Sequence, residues 1–415
     1  MPRTITPKDC HTLINSLVKQ ITVQQSITAV DTSTFVSAGE LVLSYGMENV
    51  YNAINALIAK TIIASRPYDA KLKIIQEENN TEYGSRIRKI SYYSKDSLPA
   101  GNFNTDLYTN FASGYTAGDN SGTSTKSQWE QNPAMPLEMN FSGLSVLQDC
   151  VTLYEDAVKW AFTDEAEFAK FVAGYINEHE NDIQSQKEAF NRMVILSKIG
   201  QVYDMSSVMT GSVINLTSAF NTAFGTSYTS DQLRKNHLQE FLEFFVATFK
   251  NTSRFMTNRS AKNHWAVPKT VGTDTYRILR HTPYADQRVI LYAPLFTDAK
   301  AHVYSEIFHP NYLELGAEYE EVDFWQSESA GASINIVPPV INTSTGVQEA
   351  GTAVNLDYVV GMIFDRDALF TNFNLETART SGLESRKGFR NTWLSIGRGY
   401  CVDPTENCVI FTMED

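Results

Sequence analysis

The sequence predicts an α+β fold in which a long hairpin excursion and a rod-like helix precede a mixed α/β unit. Three observations carry that prediction. Arg86–Tyr93 reads as a strand, residues 94–131 form a polar stretch crowded with Gly, Asn, Thr and Ser, and Pro136–Tyr154 reads as the returning strand. From Asp164 to about Gly200 there is no proline and a single apolar stripe. Beyond Ser230, helical and strand-like segments alternate.

Taken in order, Cys10–Lys19 is helix-like, with Leu13, Ile14, Leu17 and Val18 one turn apart. A docked arm and a terminal helix of the body are both consistent with it. Ser37–Ile63 carries a second helix, with Leu43, Val50, Tyr51, Ile54, Leu57 and Ile58 on one stripe. Thr61–Ala64 turns β-like before Pro67 stops it. The loop after Tyr93 has few aliphatic residues, and fixing each residue costs about 1–2 kcal/mol of conformational entropy. It does carry Phe103, Tyr108, Phe111, Tyr115 and Trp129. Either the loop is mobile or those rings bury themselves on something else, and they are the candidate contact residues.

The rod opens on Thr163 and Asp164, both suited to an N-cap, and Asp164 and Glu167 have capping-box spacing. Glu165 and Glu167 suit the positive end of the helix dipole. Ile176, Ile183 and Phe190 fall seven apart, with Phe168, Val172, Tyr175 and Val194 on the same side. Such a helix is about 55 Å long. Its single apolar stripe predicts a helix lying across a surface, not one buried all round.

Ser230–Lys250 reads as one helix with Leu238, Phe241, Leu242, Phe245, Val246 and Phe249 on a wide apolar face. Arg288–Ala293 and Val359–Phe364 read as central strands, and Thr297 as the cap of a helix running to Phe308, ended by Pro310. Val322–Val354, rich in Ser, Gly, Pro and Thr, reads as a long insertion or loop. Phe373–Ala378, a turn at Ser381–Gly388, Phe389–Tyr400 and Val409–Met413 then read as an antiparallel set ending the chain inside a sheet.

The composition bounds the function. With 42% hydrophobic and 20% charged residues over 415 positions, the chain has the composition of a folded protein. Aromatics make up 12%, with 20 Tyr and 23 Phe, more than one compact core needs, and aromatics favour interfaces. A net charge of −13 argues against a protein whose main work is gripping phosphate. No apolar run reaches the roughly 20 residues of a membrane span. The first residues lack a secretory signal pattern, which predicts a cytoplasmic setting. Cys401 and Cys408 flank a turn that a bridge could span, and a reducing compartment predicts reduced, half-buried thiols there instead.

Catalytic patterns are weak. His302, Glu306 and His309 fall on one helical face, but no fourth ligand is suggested, so no metal site is assigned. Asp365, Asp367 and Glu376 have part of a calcium-loop spacing, with Leu369 and Phe370 where a ligand and a glycine are needed. Gly114–Gly118 imitates a nucleophile elbow inside a polar loop, away from any strand-to-helix turn. There is no P-loop, GxGxxG or HExxH. Arg379, Arg386, Lys387, Arg390 and Arg398 cluster near the C-terminus, either as a contact with nucleic acid or an acidic neighbour, or as a solvated strand face. No catalytic residue, enzyme activity or cofactor is predicted.

The order of elements resembles the major capsid proteins of tailed bacteriophages, whose fold is named for the phage Hong Kong 97. Four stretches of local wording are similar to capsid proteins of small short-tailed and gut phages. These are Ser37–Ile63, Trp129-Glu-Gln-Asn-Pro133, Ala161-Phe-Thr163 and Val360-Gly-Met-Ile-Phe-Asp365. The resemblance implies an N-terminal arm and helix over 1–64, an E-loop over 65–156, a peripheral (P) domain with spine helix over 157–229, an axial (A) domain over 230–365, and returning strands over 366–415. It implies a structural subunit forming the hexamers and pentamers of an icosahedral virion shell around double-stranded DNA, assembled in the bacterial cytoplasm. The partners it implies are sister subunits, with portal, scaffold and head-decoration proteins and weak non-specific DNA contact. An encapsulin-like nanocompartment shell and an adhesive tail protein are the alternatives.

Overall fold

One long helix serves two sheets. The computed structural model describes Asn15 and residues 70–79, 86–94, 134–142, 145–154, 165–271, 274–295, 297 and 318–415. The predicted helix Ser37–Ile63, the loop over 95–131 and all but Asn15 of Cys10–Lys19 lie outside the described residues.

The strands β1 (Gln76–Asn79), β2 (Arg86–Tyr92), β3 (Pro136–Ser142) and β4 (Ser145–Tyr154) precede the spine helix α1 (Glu165–Asp204). Then come β5 (Val213–Asn215), α2 (Leu216–Phe224), α3 (Ser230–Lys235), α4 (Leu238–Met256), β6 (Lys269–Val271), β7 (Asp274–Tyr276), β8 (Gln287–Tyr292) and β9 (Glu318–Val322). Four short strands are next, β10 (Ile334–Ile336), β11 (Pro339–Ile341), β12 (Gln348–Ala350) and β13 (Val354–Leu356). The chain closes with β14 (Val359–Asp365), β15 (Leu369–Thr380), β16 (Phe389–Val402) and β17 (Cys408–Thr412).

The predicted single strand Pro136–Tyr154 is two strands in different sheets. β3 pairs antiparallel with β2 as a separate hairpin, whereas β4 pairs with β16. The set predicted at the C-terminus splits in the same way. β15 and β16 form a long antiparallel hairpin in a sheet of order β1-β15-β16-β4, while β17 enters a second sheet of order β5-β17-β14-β8-β9. Apolar runs explain the second sheet. Every residue of β14 and β17 is buried, and each large side chain so buried contributes about 1.5–3 kcal/mol. Phe245 and Phe249 of α4 pack on Phe411 at ring distances of 5.6 and 5.5 Å. Gly361 in β14 is required by close approach, since a Cβ there would stand 2.8 Å from the Ile290 carbonyl oxygen.

The region predicted as one helix over Ser230–Lys250 is α3 followed by α4. A capping box at Thr229 and Gln232 starts α3, which ends at Asn236 before α4 begins. The apolar positions predicted for α4 hold, with Phe241, Leu242, Phe245 and Phe249 buried. Thr297 is no cap. Residues 293–295 are already helical, and the Thr297 hydroxyl donates to the Ala293 carbonyl at 3.0 Å. Residues 322–354 are ordered, not a loose insertion. β10 pairs with β13 and β11 with β12, and buried Trp325 donates its indole N–H to the Val359 carbonyl at 2.8 Å.

Helix α1 departs most from its pattern. Ile183 packs on Leu394 and Ile396 of β16, and Phe190 meets Tyr400 edge-on at 6.0 Å, as a surface helix should. Residues 194–202 are nevertheless buried without interruption, including Ser197, Lys198 and Gln201. The helix therefore lies on the first sheet and then runs into the main core.

Candidate functional site

Three neighbouring features form the candidate site: the β2–β3 hairpin, a buried charged turn beneath it, and a groove of mixed polar and apolar lining beside it. Antiparallel register puts cross-strand partners on the same face. Lys89 is opposite Met139 and Ser91 opposite Leu137, so these residues form an inner face. Ile90 is opposite Glu138 and Tyr92 opposite Pro136 on the outer face, where Tyr92 is 61% exposed and Arg88 pairs with Glu138 at 2.7 Å.

The inner face reaches a five-residue turn, Asp403-Pro-Thr-Glu-Asn407, which links β16 to β17 and is buried along its whole length. Loops are ordinarily on the surface because their backbone polar groups need water. Here protein groups replace it. Lys89 Nζ sits 2.5 Å from Asp403 Oδ2 and 2.6 Å from Glu406 Oε1. Arg280 pairs with the same Glu406 oxygen at 3.1 Å, donates to the Thr405 carbonyl at 3.2 Å and donates to Ser91 Oγ at 2.6 Å. Lys198 of α1 donates to the Asp403 carbonyl at 2.6 Å. Asn407 Nδ2 donates to Thr282 Oγ1 at 3.0 Å, and His264 Nδ1 lies 3.0 Å from Asn407 Oδ1.

These contacts set the protonation states. Burial alone would lower Lys89, but the charges of Asp403 and Glu406 outweigh it and hold the ammonium above its ordinary range. Burial would raise Asp403, yet the Lys89 charge and hydrogen bond, with the Thr405 amide and the Lys198 charge, hold it below 3.8. For Glu406 burial wins and its carboxyl rises. Burial also lowers Lys198, which is fully enclosed. The cluster is an anchor: its charges are spent on one another and on the turn's backbone, although a pocket of about 380 Å³ lined by Arg280, His281, Asp365 and Asp367 reaches Glu406 from one side.

The groove measures about 1280 Å³ and lies between β3, the Trp265–Pro268 segment and the β11–β12 hairpin. Leu137, Met139, Trp265, Pro268, Ile341 and Tyr400 supply its apolar lining. A second apolar surface is the face of the first sheet turned away from α1. Leu394 and Ile396 face the helix, so Trp393, one position away, faces outward together with its partner Cys150 and with Val146 and Tyr154. Trp393 is 42% and Tyr154 55% exposed.

Phe103, Tyr108, Phe111, Tyr115 and Trp129, the candidate contact residues, lie outside the described residues, as do His302, Glu306 and His309. Asp365 does not belong to a calcium loop. It accepts from Thr282 Oγ1 at 2.6 Å and from the Asp367 amide at 2.9 Å, capping a short 3-10 turn. The basic cluster is not one solvated face, because Arg379, Arg386 and Lys387 are exposed whereas Arg390 and Arg398 are buried. Cys401 and Cys408 are thiols, as expected, but both are fully buried, not half-buried. Sequence reasoning missed Lys89, Lys198, Arg280, Asp403 and Glu406 as a set. The available signal was a charged residue inside an apolar run, as at Val194-Ile-Leu-Ser-Lys198-Ile199.

A family model described as Phi29-like phage major capsid protein matches residues 148–412. Among solved structures, the chain is similar to one from the capsid of Staphylococcus phage Andhra, at 11% identity and a TM-score of 0.50, covering 84% of each chain. A chain in the structure of the head fibre and inner core protein gp22 of native bacteriophage P68 matches at 10% identity and 0.49, covering 82% of this chain and 83% of that one. A chain from the capsid of cyanophage P-SCSP1u matches at 11% and 0.42, covering 82% and 87%. No curated protein matches.

Proposed function

The chain belongs to the Phi29-like phage major capsid protein family, and on that premise we propose that it is the repeating subunit of a closed icosahedral head that encloses double-stranded DNA. It is a structural protein and not an enzyme. The family match over 148–412 carries this reading, because it spans the helix, the whole second sheet, most of the first sheet and the buried turn. It favours a phage head over a nanocompartment shell or an adhesive tail protein.

In this reading the β2–β3 hairpin is the root of the E-loop, α1 is the spine of the P domain, and the region around β8 and β14 belongs to the A domain. Phe103, Tyr108, Phe111, Tyr115 and Trp129 of one copy bury themselves on a neighbour within a hexamer or pentamer. The groove between Leu137, Trp265 and Ile341 is the receiving surface, its apolar residues taking the rings and its polar ones, such as Asn140 and Gln348, the loop's backbone. Its volume exceeds the roughly 300–1,000 Å³ of an ordinary small-molecule pocket and suits several side chains. Closed symmetry limits growth to a finite shell. The net charge of −13 keeps contact with packaged duplex weak and non-specific. Portal, scaffold and decoration proteins complete the head, and assembly takes place in the host cytoplasm.

Electron microscopy of the expressed protein, with any co-encoded helper supplied, tests the reading. Closed shells are expected. Ultracentrifugation showing single chains alone at high concentration would overturn it. Removal of residues 100–128 should leave a folded monomer that forms no shells, and shells of normal yield from that variant would show that the loop is not the fastener.

A further inference from the structure

Asp403 is held from two sides by two lysines that belong to different parts of the molecule. Its carboxylate receives Lys89 from the hairpin at 2.5 Å, and its backbone carbonyl receives Lys198 from α1 at 2.6 Å. The two grips meet on one residue although Lys89 and Lys198 are more than a hundred positions apart. We propose that the turn Asp403–Asn407 is a coupling hub that transmits the position of the C-terminal third of α1 to the β2–β3 hairpin.

The surroundings make the hub stiff. Thr405 donates both its amide and its hydroxyl to Asp403 Oδ1 at 2.8 Å, so the carboxylate cannot rotate away from the turn. The Asp403 amide donates to the Ala368 carbonyl, the Trp265 amide donates to the Pro404 carbonyl, and the Asp365 amide donates to the Asn407 carbonyl. Gln201, one turn beyond Lys198, donates to the Val402 carbonyl at 3.4 Å and the Pro339 carbonyl at 3.2 Å. A shift of α1 at Lys198 and Gln201 therefore moves the turn as a unit.

Other ties join hairpin and body beside the two lysines: Arg259 donates to Ser94 Oγ at 3.1 Å, and the Lys269 ammonium lies 5.6 Å from the Tyr93 ring centroid. Arg280 bridges Glu406 to Ser91 of β2, and the Ser94 amide donates to the Arg277 carbonyl. Phe141 of β3 meets Phe370 edge-on at 6.3 Å. The hairpin itself is a two-stranded sheet, and such a pair is marginal on its own. Its orientation is therefore set in part through the hub, whose displacement alters where the chain beyond Tyr92 is aimed. The coupling belongs to the single chain and does not depend on how copies assemble.

Hydrogen exchange on the unassembled 415-residue chain tests the proposal. Lys198→Met removes the donor to the Asp403 carbonyl from α1, leaving the hairpin's own residues unchanged. It should speed exchange at hairpin amides of residues 86–92 and 136–142 by about tenfold, the scale of one lost buried hydrogen bond, while β14 amides keep their protection. Lys89→Met should do the same, and the double variant should exchange no faster than either single one. A merely structural lysine would instead loosen β14 and the hairpin together. If Lys198→Met fails to fold, the reciprocal measurement decides. Lys89→Met, made on the hairpin, should then speed exchange at residues 194–204 by a similar factor, as linkage requires. Hairpin exchange unchanged by Lys198→Met, additive effects, or residues 194–204 indifferent to Lys89→Met would each overturn the hub.

Discussion

The two sheets of this molecule differ in how they meet water. In the second sheet the central strands β14 and β17 are apolar up to their last residues, Asp365 and Thr412, and buried at every position. In the first, the outer strand β4 tends to alternate, with Val146, Thr152 and Tyr154 exposed and Leu153 buried, and on its neighbour β16 Leu394 and Ile396 lie under α1 while Trp393 faces outward. A continuous apolar run demands cover on both faces, and an alternating one demands it on one. The second sheet therefore holds the chain together, and the first offers an apolar surface to whatever lies beyond it. That division suits a shell subunit, which must fold by itself and still present faces to its neighbours.

The contrast can be broken at its strongest point. Phe411→Ala in β17 removes a ring packed against both Phe245 and Phe249. It should cost about 3–5 kcal/mol, read as a lowered denaturant midpoint. A loss below about 1 kcal/mol would mean that the second sheet is not the main source of stability. Ile183→Ala, in the satellite cluster under the first sheet, should cost less, about 2 kcal/mol, because only Leu394 and Ile396 share that cluster among the described residues. A cost equal to that of Phe411→Ala would erase the distinction between the sheets.

The buried turn between the sheets gives a pH signature. Asp403 is held below its ordinary 3.8 in the folded chain. The unfolded chain therefore binds this proton more readily, and the stabilisation is complete above that ordinary value and lost as pH falls through the folded one. Glu406 is raised above 4.5 by burial, so its ionisation in the window above 4.5 works against folding. Asp403→Asn should cost less than the about 3–5 kcal/mol of a fully broken buried pair, because Lys89 keeps Glu406. The stability gap between wild type and variant should be full near neutral pH and shrink below 3.8. A gap independent of pH would show that the Asp403 charge is not what the variant removes.

The smallest effect on folding lies on the outward face. Trp393→Ser should change monomer stability by no more than about 0.5 kcal/mol, yet reduce the yield of shells seen by electron microscopy. Normal shells would show that this face stays open in the particle.

The periodic elements were legible in the sequence. The apolar face of α4, the strands at 287–292 and 359–365, and the rod ahead of Gly200 follow from spacing alone, because the residues that decide them are a few positions apart. The division of Pro136–Tyr154 between a hairpin and a sheet was not legible, since both halves read as strand and only their partners differ. Among the candidate contact residues, the loop rings stand out by composition, whereas Trp393 and the groove lining are defined by the packing of distant segments.

By itself, then, the sequence determined the strongly periodic elements, the rod, the apolar face of α4 and the strands β8 and β14, and that the chain is rich in rings to place at contacts. Only the tertiary structure decided which strands share a sheet, that the last third of α1 is enclosed, and that Lys89 meets Asp403 across 314 positions. The physical reason is range. Periodicity records the neighbours of a residue along the chain, whereas the partner of a buried charge is chosen by whichever distant segment is packed against it.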